Sequence, residues 1–243
     1  MQPHAIHKLH QYRQSISTKP YASRGKSNIR CQWCLLAQTN CTCNARKQLS
    51  SNAAFLLLMY DDEVLKPSNS GRLIADLIPD THGFIWSRTE PNEQMLALIN
   101  DSRYQPMVIF PAEYAMTGQT VTSEVGNIAQ GKTPLFIVLD GSWREAKKMF
   151  RKSPYLHHLP LLSFNPERVA QYGLRKNSRD FQLGTAEVAT LVLEAFGEID
   201  NAQSMNAWFE LFVVASKHGR NSVRTEALPP IAELKQLFLA SLK

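Results

Sequence analysis

No aspartate or glutamate occurs in the first 50 residues, and no cysteine occurs after position 43. No run approaches the ~18 consecutive apolar residues of a membrane-spanning helix. The longest apolar runs, Ala53 to Tyr60 and Leu135 to Leu139, fall well short. The opening stretch "MQPHAIHKLHQYRQS" lacks the apolar core of a secretory signal. These absences argue against a helical membrane protein and make a disulfide framework unexpected. The expectation is a cytoplasmic chain with no membrane contact.

The 243 residues are 44% hydrophobic, enough to bury a substantial core. The net charge is +6 and unevenly placed. Residues 1–50 hold eight Lys/Arg, while the remainder carries 19 basic and 21 acidic residues, a net −2. A basic arm of this kind suits a polyanion, most often nucleic acid, or is a solvated tail.

All four cysteines fall in "CQWCLLAQTNCTC", as Cys31, Cys34, Cys41 and Cys43. Four thiolates in so short a span can close a tetrahedral site suited to zinc. A thioredoxin-type redox pair would leave two cysteines over. Four protein ligands leave no position for water, so the metal would be structural. Trp33, beside Arg30, Arg46 and Lys47, would either face RNA from this knuckle or cover the metal.

Downstream, "AAFLLLM" (53–59), "GFIWS" (83–87), "PMVIF" (106–110), "PLFIVLD" (134–140) and "LPLLSF" (159–164) predict strands. Continuous apolar runs are expected of parallel strands buried on both faces. Helices are predicted over 71–78, 92–100, 142–152, 185–196, 204–218 and 229–242. The alternation argues an α/β fold with a mainly parallel sheet, whose ligands bind beyond the carboxyl ends of the strands. The last two helices have apolar faces suited to a core or to an interface.

Three polar clusters follow predicted strands. The first holds Glu63, Lys66 and the turn Ser68-Asn69-Ser70-Gly71-Arg72, with Ser70 a candidate N-cap. A small-residue turn at a helix start can offer N–H groups to an anion, and Arg72 can add a bidentate contact. The second is "VLDGSWREAKKM" (138–149), in which Ser142 and Glu145 fit a capping box. Capping explains neither Asp140 nor Trp143. The third runs from the basic loop Arg175, Lys176 and Arg179 through Gly184-Thr185 into a helix with Glu187 in its first turn, a placement that complements the helix dipole.

Taken in order, the knuckle, "EVLKPSNSGRL" (63–73), "FPAEYA" (110–115), "DGSW" (140–143) and "GTAEVATLVLE" (184–194) resemble the DTW-domain family, and within it the bacterial tRNA-uridine aminocarboxypropyltransferases. The family's D-x-T-W appears as Asp140-Gly141-Ser142-Trp143 and its T-N-T-G as Ser68-Asn69-Ser70-Gly71, each hydroxyl retained. Tyr60 stands where a histidine is often found. The resemblance implies a SPOUT-like sheet, S-adenosylmethionine as donor and tRNA as substrate. It implies transfer of the 3-amino-3-carboxypropyl group to N3 of a uridine in the variable loop, with methylthioadenosine released.

It also implies donor contacts at Ser68, Asn69, Ser70, Gly71 and Arg72, which would hold the donor's carboxylate or an RNA phosphate, at Pro111 and Glu113, and at Asp140, Ser142, Trp143 and Thr185. Asp140 is the nominated general base, ahead of Glu63 and Glu187, and Trp143 a stacking surface for the adenine or the target base. Residues 1–50 are then a basic arm and zinc knuckle, and 51–243 the catalytic domain. Two other functions are compatible with the sequence: a SPOUT-type RNA methyltransferase, and a non-catalytic zinc-knuckle RNA-binding protein.

Overall fold

The computed structural model describes residues 2–19, 21, 28–164, 183–219 and 228–242. Along the chain run α1 (Ala5–Ser15), β1 (Ala54–Met59), α2 (Arg72–Leu77), β2 (Thr81–Ile85) and α3 (Glu93–Ile99). Then come β3 (Tyr104–Ile109), β4 (Val121–Thr122), β5 (Thr133–Asp140), α4 (Trp143–Arg151) and β6 (Leu161–Leu162). Among the described residues three helices close the chain: α5 (Thr185–Ala195), α6 (Ile199–His218) and α7 (Ile231–Ser241). The strands form one sheet, all pairs parallel, in the order β2-β1-β5-β3-β6-β4.

The central strands are apolar on both faces because both faces are covered. Phe55, Leu57 and Met59 of β1, with Phe136 and Val138 of β5, pack into the layer of α2, α5, α6 and α7. Ala54, Leu56 and Leu58, with Leu135, Ile137 and Leu139, pack into the layer of α3 and α4. Cys31, Cys34, Leu36, Ala45 and Leu49 of the knuckle segment join the first of these clusters.

Several boundaries differ from the sequence expectation. β2 starts two residues early, at Thr81, and stops before Trp86. The expected strand at 159–164 contracts to Leu161–Leu162, and its partner β4, with Val121 exposed, was announced by no apolar run. α6 begins at Ile199 rather than 204, directly after a turn at Gly197 with φ +89°.

The largest difference is α1. The basic arm folds back as a helix whose Ile6 is buried against β2, in the space left by the missing side chain of Gly83. Its first turn is capped by two histidines: His7 N–H donates to His4 Nδ1 and His4 N–H to His7 Nδ1. Arg13 makes a two-pronged contact with Asp61, at 2.8 and 3.1 Å.

α1 is anchored chiefly through Asp76. This buried carboxylate of α2 pairs with His4 Nε2 at 3.1 Å and accepts from Arg46 Nη1 at 3.2 Å and Trp208 Nε1 at 3.2 Å. The arm, the knuckle segment, α2 and α6 therefore meet on one side chain. Burial alone pushes the Asp76 carboxyl up, but the contacts to His4, Arg46 and Trp208 outweigh it and hold it below the ordinary aspartate range. Asp76→Ala leaves three donors without their acceptor and should destabilise the fold by about 3–5 kcal/mol. Urea denaturation checks this, with Asp76→Asn, which keeps one acceptor oxygen, falling between variant and wild type.

Candidate active site and metal centre

β1 and β5 lie side by side, but the chain leaves them in opposite directions. From β1 it passes through α2 to β2 at one edge; from β5 it passes through α4 toward β6 on the other side. A crevice beyond the carboxyl ends of two such strands is the usual ligand position in a parallel sheet. Here Tyr60 N–H donates to Asp140 O at 2.8 Å and ties the two strand ends together.

Asp140 follows the alternation of Phe136 and Val138, so its side chain enters the α2/α5 layer. It is 3% exposed. Asn69 Nδ2 donates to its Oδ2 at 2.6 Å and Thr185 Oγ1 to its Oδ1 at 2.5 Å. Only glycine fits at 71, because a Cβ there would lie 2.5 Å from Asp140 Oδ2. Burial, reinforced by the nearby Glu63, pushes the Asp140 carboxyl up to about 6, against the opposing pull of Thr185, Asn69 and Arg72.

The turn before α2 is arranged around this carboxylate. Gly71, not Ser70, is the N-cap residue of α2, and Asn69 Oδ1 accepts from the Arg72 N–H at 3.2 Å. Ser70 Oγ instead accepts from Ala186 N–H at 3.4 Å and joins the starts of α2 and α5. Ser68 is exposed. Arg72 was expected to reach outward to an anion; it is buried, and burial brings its guanidinium down to about 10. Its Nε and Nη2 donate to the carbonyls of Asn69 (3.2 Å) and Lys66 (2.8 Å), so it braces the turn from beneath. Glu63 is paired with Lys66 at 2.6 Å and accepts from Asn69 Nδ2 at 3.4 Å. Glu187 is buried and accepts from Gly184 N–H at 2.5 Å, closing the first turn of α5.

Trp143 does not share this cluster. It lies in the opposite layer, stacked on Phe110 (centroids 5.5 Å apart, 24° between planes) and edge-on to Tyr114. Asp140 and Trp143, three residues apart, thus face opposite sides of the sheet. The link between them is the cap: Glu145 Oε2 accepts from Ser142 N–H at 2.7 Å and Ser142 Oγ–H at 2.6 Å.

Beside Trp143 is a groove of ≈ 930 Å³ lined by Tyr60, Tyr114, Met116, Lys147, Lys148 and other residues of α4. Tyr60, at the expected histidine position, stacks on Trp86 at 5.8 Å and accepts from Lys148 Nζ at 3.2 Å. Pro111 and Glu113 follow β3, with Glu113 exposed beside Tyr114 rather than near Asp140. The basic loop at Arg175, Lys176 and Arg179 lies outside the described residues, as do Arg24 and Lys26 of the arm.

The four cysteines converge. Cys31 and Cys43 sulfurs are 3.7 Å apart and those of Cys34 and Cys41 3.8 Å, with all four within 4.8 Å of one another. A tetrahedron with Zn–S of about 2.3 Å has S···S edges of about 3.8 Å, so the cluster fits zinc as it stands. All four are free thiols. Leu35, with φ +57°, turns the chain after Cys34, and the N–H groups of Leu36 and Thr42 donate toward the Cys34 sulfur. Trp33 packs against the buried core and makes an edge contact with His7 at 5.0 Å.

His4, His7 and Asp76 also lie within metal-ligand reach of one another, but Arg46 sits on the same Asp76 oxygen as His4. The sequence signal for Asp76 was present: a lone acid inside the apolar run "GRLIADLI". Tyr60 was singled out by the resemblance and Lys148 belongs to the basic run after Trp143, but their meeting with Trp86 had no such signal, because the three are distant in sequence.

One equivalent of zinc per chain is expected on elemental analysis. Cys31→Ser should lose it and lower the melting temperature, since Cys31 and Cys34 belong to the main core. Metal-free protein of full stability would contradict the site.

No solved structure matches the chain. A family model of the DTW domain matches residues 28–217, from the knuckle through nearly all of α6. That span takes in the four cysteines, the Asn69–Arg72 turn, Asp140 with Trp143, and Thr185. The chain belongs to the DTW-domain family, which is linked to tRNA modification.

Proposed function

We propose that the protein is a tRNA-uridine aminocarboxypropyltransferase, acting at N3 of a uridine with S-adenosylmethionine as donor, on a SPOUT-like sheet. The observation that carries this reading is Asp140. It is a buried carboxylate at the sheet's switch point, ringed by side-chain donors and pushed up to about 6. A group of this kind suits proton abstraction near neutral pH.

The residues at the crevice fit a zwitterionic, hydroxyl-bearing donor. The Glu63 carboxylate suits its ammonium and the Ser70 and Ser68 hydroxyls suit its carboxylate, while Thr185 Oγ1, whose proton goes to Asp140, can accept from a ribose hydroxyl. When bound, S-adenosylmethionine supplies a carbon chain activated by its sulfonium centre. The protein's part is to hold the uridine in line with that carbon and to take the N3 proton. Asp140 is the proposed acceptor of the proton. Its two hydrogen bonds leave each oxygen a further lone pair, whereas Glu63 is tied to Lys66 and Glu187 to the start of α5. The zinc knuckle serves as a structural support for the α2/α6 layer.

Asp140→Asn should lower transfer by about 10²–10⁴-fold while zinc content and tRNA binding persist. Its midpoint of denaturation at pH 8 should equal or exceed wild type. The Asp140 pKa is raised on folding, so its stabilising contribution is full below about 4 and is lost as pH rises through about 6. The amide carries no such loss. Wild-type turnover by this variant would remove Asp140 as base. Methylthioadenosine is the expected by-product. S-adenosylhomocysteine would mean a methyltransferase, and tRNA binding without turnover of the donor would mean a binding protein.

The pH–rate profile of kcat/KM should fall on the acid side near pH 6. Thr185→Val removes a hydrogen bond that favours the ionised carboxylate, so it should move that limb to higher pH. An unmoved limb would show that another group sets it.

A further inference from the structure

The aromatic groove on the α4 face is separate from the buried Asp140 cluster and has its own composition. Four cations line it, Arg144, Lys147, Lys148 and Arg151, against one acid, Glu145, whose carboxylate is occupied by Ser142. Two of the cations are held over rings. Lys147 Nζ lies 5.8 Å from the Tyr114 centroid and 5.7 Å from that of Trp143. Lys148 Nζ lies 5.4 Å from Tyr60 and 5.7 Å from Trp86. Consecutive residues on a helix point about 100° apart, so each ammonium falls on a different aromatic pair and the charges spread along the groove.

Such contacts restrain lysines that would otherwise range through solvent. Two restrained ammonium groups beside aromatic surfaces match the alternation of phosphate and base along an unpaired strand. A duplex would present phosphates with its bases stacked away from the rings.

The geometry points to this groove as the seat of the acceptor RNA: a single-stranded segment whose phosphates contact Lys147 and Lys148 and whose base lies against the Trp143–Tyr114 pair. The assignment rests on the proposed function for the identity of the RNA, and deepens it by dividing the site. The donor enters from the α2/α5 side and the RNA from the α4 side, and they meet at Asp140–Gly141. Gly141 keeps that meeting point free of a side chain, since a Cβ there would lie 3.2 Å from both Tyr60 Cβ and Glu145 Cβ.

The test is binding of an unmodified tRNA transcript, and separately of S-adenosylmethionine, to the full-length zinc-loaded protein. The double variant Lys147→Met, Lys148→Met keeps the apolar stems and removes both charges. Its tRNA affinity should fall by about tenfold or more, and the slope of log affinity against log salt should flatten by roughly 1.4. Donor affinity, zinc content and melting temperature should be unchanged. Lys132→Gln, before β5 at the far end of the sheet, removes a charge without this effect.

Unchanged tRNA affinity and salt slope in the double variant would overturn the assignment. So would loss of donor affinity in place of RNA affinity, which would make the groove the donor's seat. Competition supplies the second arm: a uridine oligomer should displace tRNA from wild type, and an equally effective RNA duplex would overturn the single-strand assignment. A wild type that binds tRNA in this groove yet forms no aminocarboxypropyl product would leave the groove standing and sink the proposed activity instead.

Discussion

α2 has six residues, all buried, and is too short to hold itself together. It is fixed by two buried carboxylates. Asp140 of β5 grips the turn at its start through Asn69 and the bare Cα of Gly71, and its own Asp76 grips the arm, the knuckle segment and α6 near its end. The buried polar cluster at the sheet's switch point exists only while both grips hold. The two respond to pH in opposite senses. Asp76, held low, stabilises above the ordinary aspartate range and loses that contribution in acid. Asp140, held high, stabilises in acid and loses its contribution as pH rises through about 6. The second is a cost the fold carries at neutral pH, of a kind often found where a group is kept for its chemistry.

The central strands and most helices were legible because their signals are local. β1 and β5 read as unbroken apolar runs since both faces are covered, and α4 announced its cap at Ser142. α1 was not legible: its anchors are a histidine pair, one isoleucine facing a glycine, and an aspartate about 70 residues away. β4, with two residues and Val121 exposed, leaves almost no pattern, whereas β6 was legible as the buried centre of the run at 159–164. For the site, the sequence located the right turns but not their directions. Asp140 and Trp143 looked like one corner, yet strand alternation sends the first into one layer while the α4 crossover sends the second into the other. Arg72 looked like an anion ligand because its own burial is invisible until α1 and α5 are in place.

The charge distribution changes meaning in the same way. The basic arm seemed to hold all the excess positive charge. Arg13 and Arg46, however, are spent on Asp61 and Asp76, and an Arg30 nitrogen donates to the Leu35 carbonyl. Part of the arm's charge fastens it to the body. α4, from a region with no net positive excess, instead presents an ordered row of cations along a groove.

The placement of Asp140 and Trp143 on opposite faces has a kinetic consequence. With a small molecule held on one face of the sheet edge and a polymer on the other, neither lies in the other's exit path. A spent nucleoside could depart and a fresh one arrive while the long chain stays in place. Order of addition would then be set by concentration rather than by obstruction, with the narrow Asp140–Gly141 backbone as the meeting point among the described residues.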